Sequence, residues 1–168
     1  HHLLSHTSGI HSYTDTPGFI MGVISPVKAA VLVEKITKEP FDFDPGERFN
    51  YSNSGYFLLG LIVEKASGKP YGEYLRERFF KPLGMKNTGL HRRGFEPAGE
   101  ALGYTRGGKD YRRAVDWDMS WAGGAGALYS TVRDLGLWNE GLFAFKVLER
   151  KSLDLAFTPN KLLDESGK

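Results

Sequence analysis

At 168 residues the chain has the length of one domain or a large part of one. Its hydrophobic fraction of 40% is enough for a packed core, and 22 basic against 20 acidic residues leave a net charge of +2. That near-balance argues against nucleic acid as the main partner. The absence of cysteine excludes disulfides, thiolate catalysis and Cys-based metal sites. No apolar run reaches membrane-span length, the best being Tyr56 to Val63.

In chain order, His1 to His6 reads as the last turns of a helix, stopped at Thr7-Ser8-Gly9 with Gly9 as its cap. His11 to Gly22 reads as a loop punctuated by Pro17 and Gly18. Ser25-Pro26 predicts a helix start, with Ser as N-cap and Pro first in the helix. Its apolar positions Val27, Ala30, Val31, Val33 and Ile36 fall roughly on one face, and it ends before Pro40. Phe41-Asp42-Phe43 alternates as a short extended segment before the Pro45-Gly46 turn. Tyr56 to Ala66 is nearly all apolar and closed by Gly68, which predicts a helix buried on almost every side. Tyr51-Ser52-Asn53 would then sit at the tip of a rigid rod, where a side chain's geometry is well fixed.

Pro70 opens a further helix over Tyr71 to Phe80, with Tyr71, Tyr74, Leu75 and Phe79 inward. Residues 102–104 and 111–113 are expected to pair as a small hairpin, with Gly107-Gly108 in the turn. The one basic cluster, Arg106 to Arg113, falls on that hairpin and reads as a solvated surface. Gly123, Gly124 and Gly126 make a run whose backbone can approach a neighbouring chain or a ligand closely. Thr131 caps the next helix, with Asp134 near its positive end, and Leu135, Leu137, Trp138, Leu142 and Phe143 are expected to be buried. A last short helix covers Glu149 to Phe157. Helices dominate, so the expected class is mainly α with a small β-hairpin. The chain begins inside a helical pattern and stops in polar sequence, Asp164 to Lys168, so both ends are expected to be cut from something longer.

Four blocks together carry a resemblance. They are His2-Leu3-Leu4-Ser5-His6-Thr7-Ser8-Gly9-Ile10, Pro45-Gly46-Glu47-Arg48-Phe49-Asn50-Tyr51-Ser52-Asn53-Ser54-Gly55-Tyr56, Pro82-Leu83-Gly84-Met85, and Gly123-Gly124-Ala125-Gly126 with Tyr129 to Asp134. In this order they resemble the serine β-lactamase and penicillin-binding-protein superfamily, in its branch of class C β-lactamases, related esterases and D-amino-acid peptidases. The resemblance covers nearly the whole chain. It implies an acyl-enzyme mechanism built on Ser-x-x-Lys, Tyr-x-Asn and a later Lys-Thr-Gly or His-x-Gly.

Tyr51-Ser52-Asn53 matches the second motif. The resemblance makes Tyr51 the proton relay and Asn53 the group that binds substrate and orients the motif lysine. An ordinary Tyr titrates at about 10, so a relay working at neutral pH needs a nearby ammonium. Gly123 and Gly124 are the candidate substrate-binding positions. The other two motifs do not match. Ser25-Pro26-Val27-Lys28 fits Ser-x-x-Lys literally but is rejected, because the family's motif lies before the His-Thr-Ser-Gly block and Pro26 makes Ser25 a helix cap. Residues 1–168 are therefore expected to be a single partial domain, the helical lobe of the β-lactamase/transpeptidase-like fold, whose parent is α+β. Alone it is expected to be inactive.

The implied partner is a small acyl substrate: a β-lactam, an ester or a D-amino-acid peptide. No organic cofactor or metal is implied. His2 and His6 are spaced i, i+4 but no third ligand is placed, and the glycine run lacks the Lys-Ser/Thr of a P-loop. The parent is expected to be exported. A second reading is a non-catalytic structural or interaction module derived from the same fold, which would self-associate through the face that a missing sheet leaves bare. Simpler readings stand beside these: Ser52 or Asn53 as a helix cap, His6 and His11 as surface groups, and Tyr13, Trp117 and Trp121 as core rather than cleft.

Overall fold

The structure is a computed structural model and describes residues 1–162; Asp164 to Lys168, the polar end noted above, lie outside the described residues. Among the described residues there are seven α-helical pieces: α1 (Phe19–Gly22), α2 (Ala29–Lys38), α3 (Asn53–Ser67), α4 (Tyr71–Leu75), α5 (Lys81–Leu83), α6 (Val132–Phe143) and α7 (Arg150–Ala156). Strands are few. β1 (Gly89–Leu90) pairs antiparallel with β4 (Leu128–Tyr129), and β2 (Tyr104–Gly107) pairs antiparallel with β3 (Asp110–Arg113). The mainly α class and the small hairpin are as expected.

The helix of the Tyr-x-Asn block forms for the reasons its sequence offers. Ser52 caps it, its Oγ accepting from the Gly55 amide, and Gly68 closes it in the left-handed conformation at φ 68°. Its burial is narrower than expected. Ser54, Gly55, Phe57 and Gly60 are buried, but Ile62 is 51% exposed. Only the stripe facing the glycine segment and the loop before α1 is covered. Phe57 there joins Tyr13, Val23, Leu32, Ile36 and Trp121 in the core.

Several elements depart from their sequence reading. His1 to His6 is a single turn, held by Leu4 N–H on His1 O and Thr7 N–H on His2 O, and not the end of a helix. The 11–22 loop contains a 3₁₀ turn over Tyr13–Asp15 and the short α1. The next helix starts at Ala29 with Lys28 at its cap, so Ser25 is not the N-cap. Pro26 disfavours helical backbone at Ser25, and the stretch is tied down as loop: Ser25 O accepts from Trp121 Nε1 and the Val27 amide donates to Ser120 Oγ. The buried face of α2 is Leu32 and Ile36, while Val31 is 42% exposed.

Phe41-Asp42-Phe43 forms bends and no strand; Phe43 is buried and Phe41 is exposed. The helix begun at Tyr71 continues past Phe80 to Leu83 through a wider π turn over Arg76–Phe80, where Lys81 N–H reaches Arg76 O. Pro82 has no N–H to give the helix, and a widened turn just before it relieves the clash its ring would otherwise make. Phe80 is the buried aromatic of that segment.

Thr131 caps α6 as expected, accepting from the Asp134 amide. Leu135 and Phe143 are both exposed rather than buried, and Gly141 with Asp134 faces inward. Asp134 does more than face the helix dipole. It is 2% exposed, and its Oδ2 accepts from the Asn87 amide at 2.7 Å and Thr88 Oγ1 at 2.8 Å, pinning the turn after α5 to α6. Among the described residues no buried side-chain polar atom lacks a partner.

Candidate active site at the head of helix α3

Tyr51 and Asn53 do come together at the tip of α3. The Tyr51 hydroxyl donates to Asn53 Oδ1 at 3.2 Å, and Asn53 Nδ2 donates to Thr14 Oγ1 at 3.0 Å. The Tyr51 ring is 56% exposed, so the phenol stands at the surface and is not sunk in hydrocarbon. Asn53 lines an open cleft of ≈ 630 Å³ walled by Phe19, Ile20, Trp117, Met119 and Gly126. Trp117 is half-buried on that wall, whereas Tyr13 and Trp121 are core residues whose edges reach it.

Three serine hydroxyls bolt the loop 10–14 to the helix start. Ser52 Oγ donates to Ile10 O at 2.9 Å. Ser54 Oγ donates to His11 O at 2.6 Å and accepts from the Tyr13 amide at 2.9 Å. Ser12 Oγ accepts from the Asn53 amide at 3.1 Å. All three residues are buried. Each hydroxyl nearest the motif is therefore structural. Nothing in the helix-start pattern distinguishes such serines from solvent-facing ones; only the folded loop gives them partners.

Two phenols lie near Asn53 and they differ sharply. Tyr13 gives its hydroxyl to Trp121 O, and its pKa is pushed up to about 12, first by burial and then by Tyr51 beside it. It stays protonated. Tyr51 is the accessible one of the pair.

Gly123 and Gly124 pack against α3. A Cβ on Gly124 would lie 2.5 Å from Tyr56 O and 2.9 Å from Gly60 Cα, and one on Gly123 would lie 3.1 Å from the Phe57 ring. Their smallness lets the 123–126 segment rest on the helix backbone. It is Ala125 and Gly126 that line the cleft beside Asn53.

His11 is not at the tip. Its Nδ1 meets Asp42 Oδ1 at 2.9 Å and joins the 9–11 loop to the 41–50 loop. The Asp42 hydrogen bond, chiefly, raises its pKa above the ordinary 6.5. Raised in the fold, this His favours folding most below 6.5, and that contribution fades as pH climbs through the higher folded value. An NMR titration of the His11 ring should give a midpoint above 6.5, and D42N should bring it back toward 6.5.

Tyr-x-Asn at the tip of a helix in a mainly α lobe, beside an open cleft, is consistent with the helical lobe of the β-lactamase/penicillin-binding-protein-like fold. Comparison with known proteins agrees. A family model described as Beta-lactamase matches residues 1–164, and the chain belongs to that family. It is 31% identical over 157 residues to a putative penicillin-binding protein, PbpX, of Bacillus subtilis (strain 168), across 94% of this chain and 38% of that protein. Among solved structures, a D-stereospecific amidohydrolase from Streptomyces sp. superposes with a TM-score of 0.83 at 31% identity, covering 97% of this chain and 52% of that one. D-amino acid amidase from Ochrobactrum anthropi SV3, complexed with D-phenylalanine, gives a TM-score of 0.78 at 31% identity, over 90% and 46%. The chain thus spans well under two thirds of the length of these relatives.

Proposed function

We propose that this chain is the helical segment of a serine hydrolase that works through an acyl-enzyme, with Tyr51 as proton relay and Asn53 as substrate and lysine positioner. The observation that carries this is the 3.2 Å bond between the Tyr51 hydroxyl and Asn53 Oδ1 at the edge of a cleft. In the first step a serine hydroxyl attacks the substrate carbonyl, and its proton passes to the Tyr51 oxygen, which takes it as a phenolate held by the motif lysine's ammonium. The tetrahedral adduct then collapses, the leaving group takes that proton, and the acyl group remains on the serine until water repeats the exchange.

The nucleophile comes from a segment outside this chain. The buried, committed hydroxyls of Ser12, Ser52 and Ser54 support that placement. The aromatic wall of Phe19 and Trp117 suits an apolar substituent on the acyl substrate, whether β-lactam, ester or D-amino-acid amide or peptide. Ala125 and Gly126 add to the lining, and Gly123 and Gly124 set how closely that segment packs on α3. The test compares this chain with the longer polypeptide that carries it, using nitrocefin, a p-nitrophenyl ester and D-phenylalanine amide. Turnover is expected from the longer polypeptide alone. Robust turnover by residues 1–168 would show that the nucleophile had been misplaced.

A second reading has one observation in its favour. Val132, Leu135, Phe143, Leu155 and Phe157 are all more than half exposed on α6 and α7 or just beyond, with Phe143 and Phe157 stacked. So much bare apolar surface suits a module that self-associates. A monomer by sizing chromatography that binds no hydrophobic dye would rule it out.

A further inference from the structure

We propose that His6 is a positioning residue for Tyr51, holding the phenol through the amides of Asn50 and Ser52 on either side of it and through a ring contact; this rests on Tyr51 being the relay. Tyr51 needs such a holder. With its ring 56% exposed, core packing does not fix it. The side chain is set by its bond to Asn53 and by what lies against its face.

What lies there is the His6 imidazole, with ring centroids 4.5 Å apart. The same imidazole stacks on Tyr56 at 4.9 Å, and Phe49 meets it edge-on at 5.8 Å. The Tyr56 hydroxyl is itself tied to Leu4 O, which closes the stack on the turn that carries His6. The residues on either side of Tyr51 both bond to the same residue. The Asn50 amide donates to His6 O at 2.9 Å, and the Ser52 amide donates to His6 Nδ1 at 3.1 Å.

The second of these bonds fills a gap in the sequence. At many helix starts a Glu or Gln at the third helical position reaches back to the N–H of the cap residue. Here the cap is Ser52 and the third position is Gly55, which has no side chain to reach with. His6 supplies that acceptor from another part of the chain. To do so it adopts a left-handed backbone, φ 56°, that non-glycine residues seldom take, and Phe145 is the one other such residue among those described. Accepting at Nδ1 requires a neutral ring with its proton on Nε2. Burial, the largest cause, lowers the His6 pKa and favours that form. The titratable side chains stacked on the ring are the Tyr51 and Tyr56 phenols.

Three substitutions separate the two contacts, made in the longer polypeptide that carries the nucleophile. H6N keeps an acceptor where Nδ1 lies and tolerates the left-handed backbone, but loses the ring. H6F keeps the ring and loses the acceptor. H6A loses both. With a p-nitrophenyl ester, H6A should lower kcat by about tenfold or more with KM within about threefold, while H6N and H6F, each keeping one of the two contacts, should each lose less kcat than H6A. In NMR spectra H6A should also move the Ser52 amide and Tyr51 ring signals. A folded H6A with kcat within about twofold of the parent overturns the proposal, and so does a loss that tracks only the unfolded fraction. Y51F run alongside keeps the two readings apart. If Y51F is fully active the relay assignment fails, whatever His6 does; if Y51F is inactive and H6A is normal, the His6 assignment alone fails.

Discussion

Tyr51→Phe in the longer polypeptide is expected to lower kcat by a factor of about 10² to 10⁴ while KM changes by less than about threefold. The substitution removes only the hydroxyl. That hydroxyl makes one hydrogen bond, to Asn53 Oδ1, at an exposed position, so stability should hold within about 0.5 kcal/mol. The ring and its stack with His6 remain. No neighbouring phenol can stand in. Tyr13 has its hydroxyl committed to Trp121 O and a pKa pushed up to about 12, and Tyr56 gives its own to Leu4 O. Steady-state kinetics paired with thermal denaturation checks this. A variant that keeps more than about a tenth of the parent kcat would remove Tyr51 from the proton path.

The helix behind this motif was legible because its signals are local. Gly68 closes it as the sequence predicts, and of the two residues read as possible caps, Ser52 and Asn53, Ser52 is the one that caps it. The hairpin and the Thr131 cap are local in the same sense, and both form. What failed depends on distant partners. An apolar run such as Tyr56 to Val63 announces hydrophobicity, not coverage, and Ile62 is exposed because no described element lies over it. Leu135 and Phe143 mislead in the same way.

Ser25-Pro26 has the chemistry of a helix start, yet Ser120 and Trp121, nearly a hundred residues on, hold that stretch as loop. Of the site, the place of Tyr51 and Asn53 at the helix head came from the local pattern, and their reading as a Tyr-x-Asn pair came from the family resemblance alone. His6 was visible as a residue but not as a clamp, since its partners at 50, 51 and 52 are met only through the fold. The glycines at 123 and 124 were correctly seen as close-approach positions, but only the structure shows that α3 is what they approach.

Gly9→Ala should destabilise the fold by about 3–5 kcal/mol, at the upper end of single substitutions. Two costs add. Gly9 sits at φ 71°, where a side chain costs roughly 1–2 kcal/mol. Its new Cβ would also lie 1.9 Å from Phe43 O and 3.0 Å from Phe43 C. Those are backbone atoms, so no rotamer change relieves the overlap and one loop must move. Movement there threatens the bonds that pair the two loops, Asp42 N–H on Gly9 O and Gly46 N–H on Thr7 O, each 2.7 Å. Leaving such groups without partners costs about 1–3 kcal/mol.

Gly68→Ala is the internal control. It has a similar φ of 68° but nothing within 4 Å of the added carbon, so it should lose only about 1 kcal/mol. Equilibrium denaturation of both variants measures the difference. Because His6 lies three residues before Gly9 and accepts from the amides of Asn50 and Ser52 on either side of Tyr51, G9A should also lower kcat in the molecules that remain folded, which G68A should not. If the two variants lose equal stability, the Phe43 carbonyl yields freely, and the contact between the loops cannot be what sets the frame for Tyr51.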